Sequence, residues 1–332
     1  MSESGARTEE APLPPAPPAE NGVPRPSVSV IVPVVERPEP LAALYEEYSA
    51  PFRGERESFE FIFVVEPWAG HLRQSLDELV RRGEPIRVLE AGRVLGEAGQ
   101  LKLAALLCRA DIVLTLPAYH RVDAECLPRL VRQVGESADL VVARRWPRRD
   151  SWFNRLQNKV FHTLMGAVLR QPFHDVACGV RAMRMELLQE IPLYGNFSRF
   201  LPLLAVQEGF EVAELPCAQH PADKKAHVHP LGTYLRRAID LVGVFFLLRF
   251  TYKPLRFFGL IGSALSVVGG TLLLVLLVQR LMGQGIANRP LLLLAVLLFT
   301  LGVQVVALGL IAELIVYLHA PTRPSYRVRE RA

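Results

Sequence analysis

The sequence predicts an α/β fold: a mostly parallel sheet with helices on both faces, continued by a C-terminal pair of membrane-spanning helices. Three observations carry this. Short β-branched or aromatic runs alternate with helix-period segments through the first half of the chain, as β-α-β units require. Several runs are apolar throughout, which suits strands covered on both faces. Two uncharged stretches near the C-terminus are each long enough to cross a bilayer.

Taken in order, residues 1–26 are rich in Pro, Ala and Glu (APLPPAPPAENGVPRP). They lack the apolar surface that offsets ordering entropy, so a disordered tail is expected. No basic start precedes an apolar run there, so the tail does not read as a signal peptide. Ser27–Val35 (SVSVIVPVV) reads as the first strand, Leu41–Tyr48 as a helix and Phe59–Val65 (FEFIFVV) as the second strand. Gly70–Arg82 has helical period. Ile86–Glu90 is a third strand and Gly96–Arg109 a helix. Asp111–Leu116 is a fourth strand, Ala124–Val134 a helix and Asp139–Ala143 a fifth strand. From Ser151 to about Pro221 the pattern is helical with turn-rich connections. Ligands of parallel sheets sit beyond the carboxyl ends of the strands, so the loops after Val35, Val65 and Leu116 are the first candidates for chemistry.

Residues 231–254 follow a soluble domain of residues 27–230. Leu231–Phe250 carries Arg236, Arg237 and Asp240 on an otherwise apolar helix, which suits a helix lying in a membrane interface. Residues 255–320 then hold two spans, about 257–279 and 290–318, joined by a short link into an antiparallel hairpin. Arg249, Lys253 and Arg256 precede the first span. Arg323, Arg327, Arg329 and Arg331 lie in the basic tail, residues 321–332. The positive-inside rule places the soluble domain and both termini in the cytoplasm. Gly262, Ser266 and Gly270 form a small-residue stripe that suits close packing within the hairpin or between subunits of a homo-oligomer.

Composition narrows the function classes. The 332 residues include 38 Lys+Arg and 33 Asp+Glu, a net charge of +5, with 50% hydrophobic residues. That excludes a disordered chain. Much of the basic excess flanks apolar segments, which points to a membrane surface and away from nucleic acid. Cys108, Cys126, Cys178 and Cys217 show no CxxC spacing, so neither a disulfide framework nor a structural zinc site is expected. A reducing, cytosol-facing compartment follows as an expectation.

Several segments resemble one family. VSVIVPVVE, FEFIFVVEPWAG and LGEAGQLKLAALLCRADIVLTLPA resemble the nucleotide-side strands and helix of family 2 glycosyltransferases. HDVACGVRAMRMELLQEIPLYGNFSRFLPLLAVQEGFEVAELP resembles the D-x-x-C-G-x-R-A-M and R-F-L-P segments of the polyprenyl-phosphate sugar transferases, the dolichyl-phosphate-mannose-synthase-like group. The resemblance runs from about Ser27 to Arg331. It implies a GT-A-like (Rossmann-like) fold and an inverting, membrane-bound transferase. Such an enzyme moves sugar from a nucleotide sugar to a polyprenyl-phosphate lipid at the cytoplasmic face. It also implies donor-side roles for Pro33, Glu36, Glu66, Gly96, Lys102 and Ala118. Arg181, Arg199, Arg144, Lys224 and Lys225 fall to the acceptor or phosphate. Asp175 is the catalytic candidate, as an acceptor-side base or as a structural hydrogen-bond acceptor. Arg144, Arg145, Arg148 and Arg149 suit either an anionic ligand or a solvated basic loop.

The departures fall in the chemistry. Where the family has a metal-binding Asp-x-Asp, this chain has Pro117, Ala118 and Tyr119, which offer no hard-cation ligand of the usual kind. No metal residue is assigned and no cofactor is expected from the motif. Mg²⁺ or Mn²⁺ enters only if Asp123, Glu125 or Glu66 supplies relocated ligands. After the second strand the acidic motif is reduced to Glu66, with Trp68 offering a ring for a base. Glu36 and Arg37 replace the usual pair after the first strand. The loop HPADKKAHVHP keeps basic charge in Lys224 and Lys225, while His227 and His229 lack a third ligand. Two functions therefore compete: a transferase that uses fixed cations where the family uses a metal, and a catalytically impaired module that binds a lipid phosphate or serves as a scaffold. Two spans with one late acid give a transporter no ion path.

Overall fold

Alternating burial builds the N-terminal sheet. In β1 (Val28–Val34), Val28, Val30, Val32 and Val34 enter one core layer and Ile31 the other. In β2 (Phe59–Val65), Phe61, Phe63 and Val65 face the first layer and Ile62 and Val64 the second. This period of two is what a strand buried on both faces produces. The computed structural model describes residues 25–35, 38–55, 57–147, 173–175, 178–191, 193, 195–224, 254–283 and 290–319. Most of the Pro-rich tail, Glu36, Arg37, Arg148, Arg149, Lys225, His227, His229, nearly all of the interface helix and the basic C-terminal tail lie outside those residues.

The chain divides into two compact units, residues 1–240 and 241–332. The first holds a seven-stranded sheet in the order β3-β2-β1-β4-β6-β5-β7. The remaining strands are β3 (Ile86–Glu90), β4 (Ile112–Thr115), β5 (Leu140–Arg145), β6 (Arg181–Arg184) and β7 (Val212–Cys217). All neighbours run parallel except β6, which is antiparallel to β4 and β5. Helices α1 (Leu41–Gly54), α2 (Arg73–Arg81) and α4 (Leu127–Gln133) cover one face; α3 (Gly96–Ala105), α5 (Met185–Glu190) and α6 (Leu201–Gln207) cover the other.

Three expectations need correction. The segment read as helical between Ser151 and Pro221 contains two strands, β6 and β7. β6 is only RAMR, and β7 mixes polar and apolar residues (VAELPC), so neither shows a strand period. The helix expected from Gly70 opens as a 3₁₀ turn, Pro67–Leu72, and becomes α-helical at Arg73. Cys126 and Cys217 are joined by a disulfide, their Cα atoms 5.8 Å apart, across 91 residues of sequence. The start of α4 and the end of β7 meet only in the tertiary fold, so spacing gave no sign of the pairing. Cys108 and Cys178 are free and buried.

The second unit is a hairpin of α7 (Pro254–Leu281) and α8 (Pro290–His319), both long and apolar enough to cross a membrane and largely exposed. The two helices meet backbone to backbone. A Cβ on Gly262 would lie 2.6 Å from Gly302 O, and one on Gly269 2.5 Å from Phe299 N. Gly302 in turn faces Ser266. The small residues are used inside the hairpin, with Gly269 rather than Gly270 at the closest approach.

Candidate functional site

Register brings five segments to one end of the sheet. β1, β2, β4, β5 and β7 run the same way, so the loops after Val34, Val65, Thr115, Arg145 and Cys217 emerge together. The reversed strand β6 pairs Arg181 with Thr115, so the residues just before it, 178–180, reach the same end. β1 leads toward β2 and β3 on one side while β4 lies on the other. The crevice between β1 and β4 is therefore the topological switch point, where open α/β sheets bind ligands.

On the β2 side, Glu66 is 2% exposed. Its Oε1 accepts from the backbone N–H groups of Leu95 and Gly96, both at 2.9 Å, and its Oε2 accepts from Trp68 Nε1 at 2.9 Å. The carboxylate thus caps the amino end of α3, where the helix dipole favours an anion. Burial works to raise its pKa, but hydrogen bonds from Gln100, Trp68, Leu95 and Gly96 outweigh it and hold the group below the ordinary carboxylate value.

The loop after β4 is fastened to α1. Glu39 N donates to Ala118 O at 2.9 Å, Arg121 N to the Tyr48 hydroxyl at 3.0 Å, and that hydroxyl to Val122 O at 3.2 Å. His120 Nδ1 pairs with Glu39, and its Nε2 lies 3.1 Å from Glu47 Oε2 in an electrostatic contact without hydrogen-bond geometry. His220 Nε2 meets the other Glu47 oxygen at 2.9 Å, and the two imidazoles stack 4.6 Å apart. The Arg121 guanidinium sits over the Tyr119 ring, 5.1 Å from its centroid.

A divalent metal does not fit these residues. Pro117, Ala118 and Tyr119 bring no carboxylate. Asp123 caps the next turn, accepting from Glu125 N at 3.3 Å. Glu66 already accepts from Leu95 N, Gly96 N and Trp68 Nε1. Among the described residues no group of three or more His, Cys, Asp or Glu is placed to hold a metal ion.

On the β6 side, Arg145 forks onto Asp175, with Nε to Oδ2 at 2.7 Å and Nη2 to Oδ1 at 2.9 Å. Its Nη1 donates to Asp223 Oδ2 at 2.9 Å, and Asp223 Oδ1 accepts from Arg121 Nη1 at 3.2 Å. Burial opposes the Arg145 charge, but bonding and attraction to Asp175, with Cys178 and Asp223 adding to it, raise its pKa above the ordinary guanidinium value. Arg181 is fully buried, donating to Ser198 O at 2.6 Å and Arg199 O at 3.2 Å, and burial lowers its pKa. Gly179 takes φ +81°, open to glycine at little cost, and faces Pro117.

The switch-point crevice is thus flanked by a β2-side acid and by the segment whose motif D-x-x-C-G-x-R ends at Arg181, the first residue of β6. Residues 29–192 match the model for glycosyl transferase family 2. The chain carries a glycosyl transferase family 2 domain. It is 24% identical over 311 residues to a dodecaprenyl-phosphate galacturonate synthase of Rhizobium johnstonii, covering 91% of this chain and 92% of that protein. It is 27% identical over 308 residues to an undecaprenyl-phosphate 4-deoxy-4-formamido-L-arabinose transferase of Proteus mirabilis, covering 91% and 93%. A glucosyl-3-phosphoglycerate synthase of Mycobacterium tuberculosis, solved with Mn²⁺, UDP and phosphoglyceric acid, superposes with a TM-score of 0.51 at 15% identity. It covers 67% of this chain and 78% of that one, a likeness of fold.

The expected site residues fall as follows. Glu66 and Gly96 meet directly. Ala118 is buried and held through its carbonyl. Pro33 lies inside β1, paired with Val64 and buried in the sheet. Lys102 is half-buried on α3. Asp175 is 2% exposed in the Arg145 fork. Arg199 takes part through its carbonyl, and Arg144 lies over the Trp146 ring at 5.2 Å. Lys224 closes the 3₁₀ turn Pro221–Lys224. Of the cluster read as suiting either an anionic ligand or a solvated loop, Arg145 is not solvated, since it is buried between two aspartates. The sequence also gave no role to Arg121, Asp223, His120 or Glu39. The only local signal was Arg121 standing two residues beyond the altered loop.

Proposed function

We propose that this membrane-bound glycosyltransferase moves a sugar from a nucleoside diphosphate sugar to a polyprenyl phosphate on the cytoplasmic side of a membrane. One observation carries the reading: the likeness to polyprenyl-phosphate sugar transferases extends over 91% of the chain, too far to end with the family 2 domain. The two apolar helices agree with a lipid acceptor. The arginines that flank the two helices support a cytoplasmic domain.

In the transfer, an oxygen of the acceptor phosphate attacks the anomeric carbon. The bond from that carbon to the donor diphosphate breaks, and the nucleoside diphosphate leaves with the electron pair. The acceptor is already anionic, so proton removal is a minor need, and Asp175 serves by holding Arg145. The larger need is positive charge at the leaving diphosphate, preorganised in a crevice of low dielectric.

The test is transfer of radiolabelled sugar from UDP-, GDP- and CDP-linked donors to undecaprenyl phosphate by the purified full-length protein in detergent. A labelled lipid that releases its sugar in mild acid is the expected result. Absence of product from every donor, with the lipid still bound, would overturn transfer. It would favour the binding module that the carboxylate-free loop Pro117–Tyr119 suggests.

A further inference from the structure

The loop after β4 has lost its carboxylates, but it has not lost a charge. Arg121 is anchored there through both its backbone and its side chain. Its backbone N–H bonds the Tyr48 hydroxyl, its guanidinium lies over Tyr119, and its Nη1 meets Asp223 Oδ1 at 3.2 Å. Its side chain is 19% exposed, so it is neither solvated freely nor sealed in the core. A guanidinium stacked on an aromatic face is fixed in orientation, and its planar fork matches phosphate oxygens.

The position suits that match. The loop stands at the switch-point crevice between β1 and β4, where a ligand of this sheet sits. Pro117, Ala118 and Tyr119 bring no carboxylate, and among the described residues no group of three or more His, Cys, Asp or Glu is placed to hold a metal ion there. Positive charge is nevertheless what a departing diphosphate requires. Asp223 supports this assignment, because it divides its two oxygens between Arg121 and Arg145. A diphosphate could take over at Arg121 while Arg145 kept both Asp175 and Asp223.

We propose that Arg121, held over Tyr119, is the fixed cation that binds the diphosphate of the sugar donor in place of a divalent metal, with Asp223 as its resting counter-ion. This rests on the donor class proposed above.

The test uses the full-length protein in detergent and titration calorimetry with UDP, GDP and CDP, each beside its nucleoside, in EDTA and in Mg²⁺ or Mn²⁺. The wild type is expected to bind one of these diphosphates equally with metal and with EDTA. Arg121→Gln is expected to weaken that diphosphate about 10- to 100-fold, the range of a charge-assisted bond, and to leave the nucleoside unchanged. Arg121→Lys, which keeps the charge without the fork, is expected between them. It decides the matter if thermal unfolding shows that Arg121→Gln does not fold. Three results would overturn the assignment alone: diphosphate binding unmoved by either variant, diphosphate and nucleoside weakened together, or wild-type binding abolished by EDTA. A folded wild type that binds none of the diphosphates would instead overturn the donor reading itself, and Arg121 with it.

Discussion

Glu66 and Asp175 are two acids buried to the same 2% exposure at the same end of one sheet, yet they are held by opposite means. Glu66 is surrounded by neutral dipoles, the N–H groups of Leu95, Gly96 and Trp68 at 2.9 Å. Asp175 is gripped by a guanidinium. The first site keeps a net negative charge and spends it on a helix end. The second is part of a chain of two arginines and two aspartates whose formal charges cancel. The difference teaches that a carboxylate retained at a family position need not retain a free lone pair for chemistry.

The comparison breaks most sharply at Asp175. Asp175→Ala leaves Arg145 with Asp223 alone and is expected to cost about 3–5 kcal/mol, the range for breaking a buried pair from one side. Replacing both partners, Arg145→Met with Asp175→Leu, should cost clearly less than the single change, because no lone charge stays buried. Thermal and urea unfolding followed by circular dichroism measure both. At Glu66 the loss is smaller. Glu66→Ala should cost about 2–3 kcal/mol by leaving buried donors unmet, and Glu66→Gln less than half of that because an acceptor oxygen remains.

Acid sharpens the same contrast. The folded pKa of Glu66 lies below its ordinary value of 4.5. Its contribution is therefore complete at neutral pH and disappears as pH falls through that lowered value. Wild type should lose more stability than Glu66→Gln over this acid range, and equal losses would remove Glu66 from the account. The smallest effect is expected at Trp68, which is 46% exposed. Trp68→Phe removes one donor to Glu66 and should cost about 0.5–1.5 kcal/mol, readable as a small drop in melting temperature.

Much of the fold was legible because it is local. Apolar β-branched and aromatic runs in SVSVIVPVV and FEFIFVV sufficed for β1 and β2, and length with absence of charge sufficed for α7 and α8. β6 was not, since four residues with Arg at each end hold no period. The site was legible in which residues matter and poorly legible in what they do. Arg145 reads as surface in RRWPRR because nothing nearby in sequence neutralises it. Its aspartates arrive from 30 and 78 residues away. Cys126 and Cys217 escaped notice for the same reason.

The hairpin fixes a depth scale for its own charges. Arg256 and Arg280 stand near the two ends of α7, 24 residues and so about 36 Å apart along the axis at about 1.5 Å per residue. Glu313 Oε2 accepts from Leu255 N at 3.2 Å, which puts the acid at the level of Arg256 rather than mid-span. The charges therefore bracket a hydrocarbon layer of about 30 Å with modest tilt. A thicker bilayer would pull one arginine inward or straighten the helices, so lipid chain length becomes a variable that the enzyme's anchoring should register.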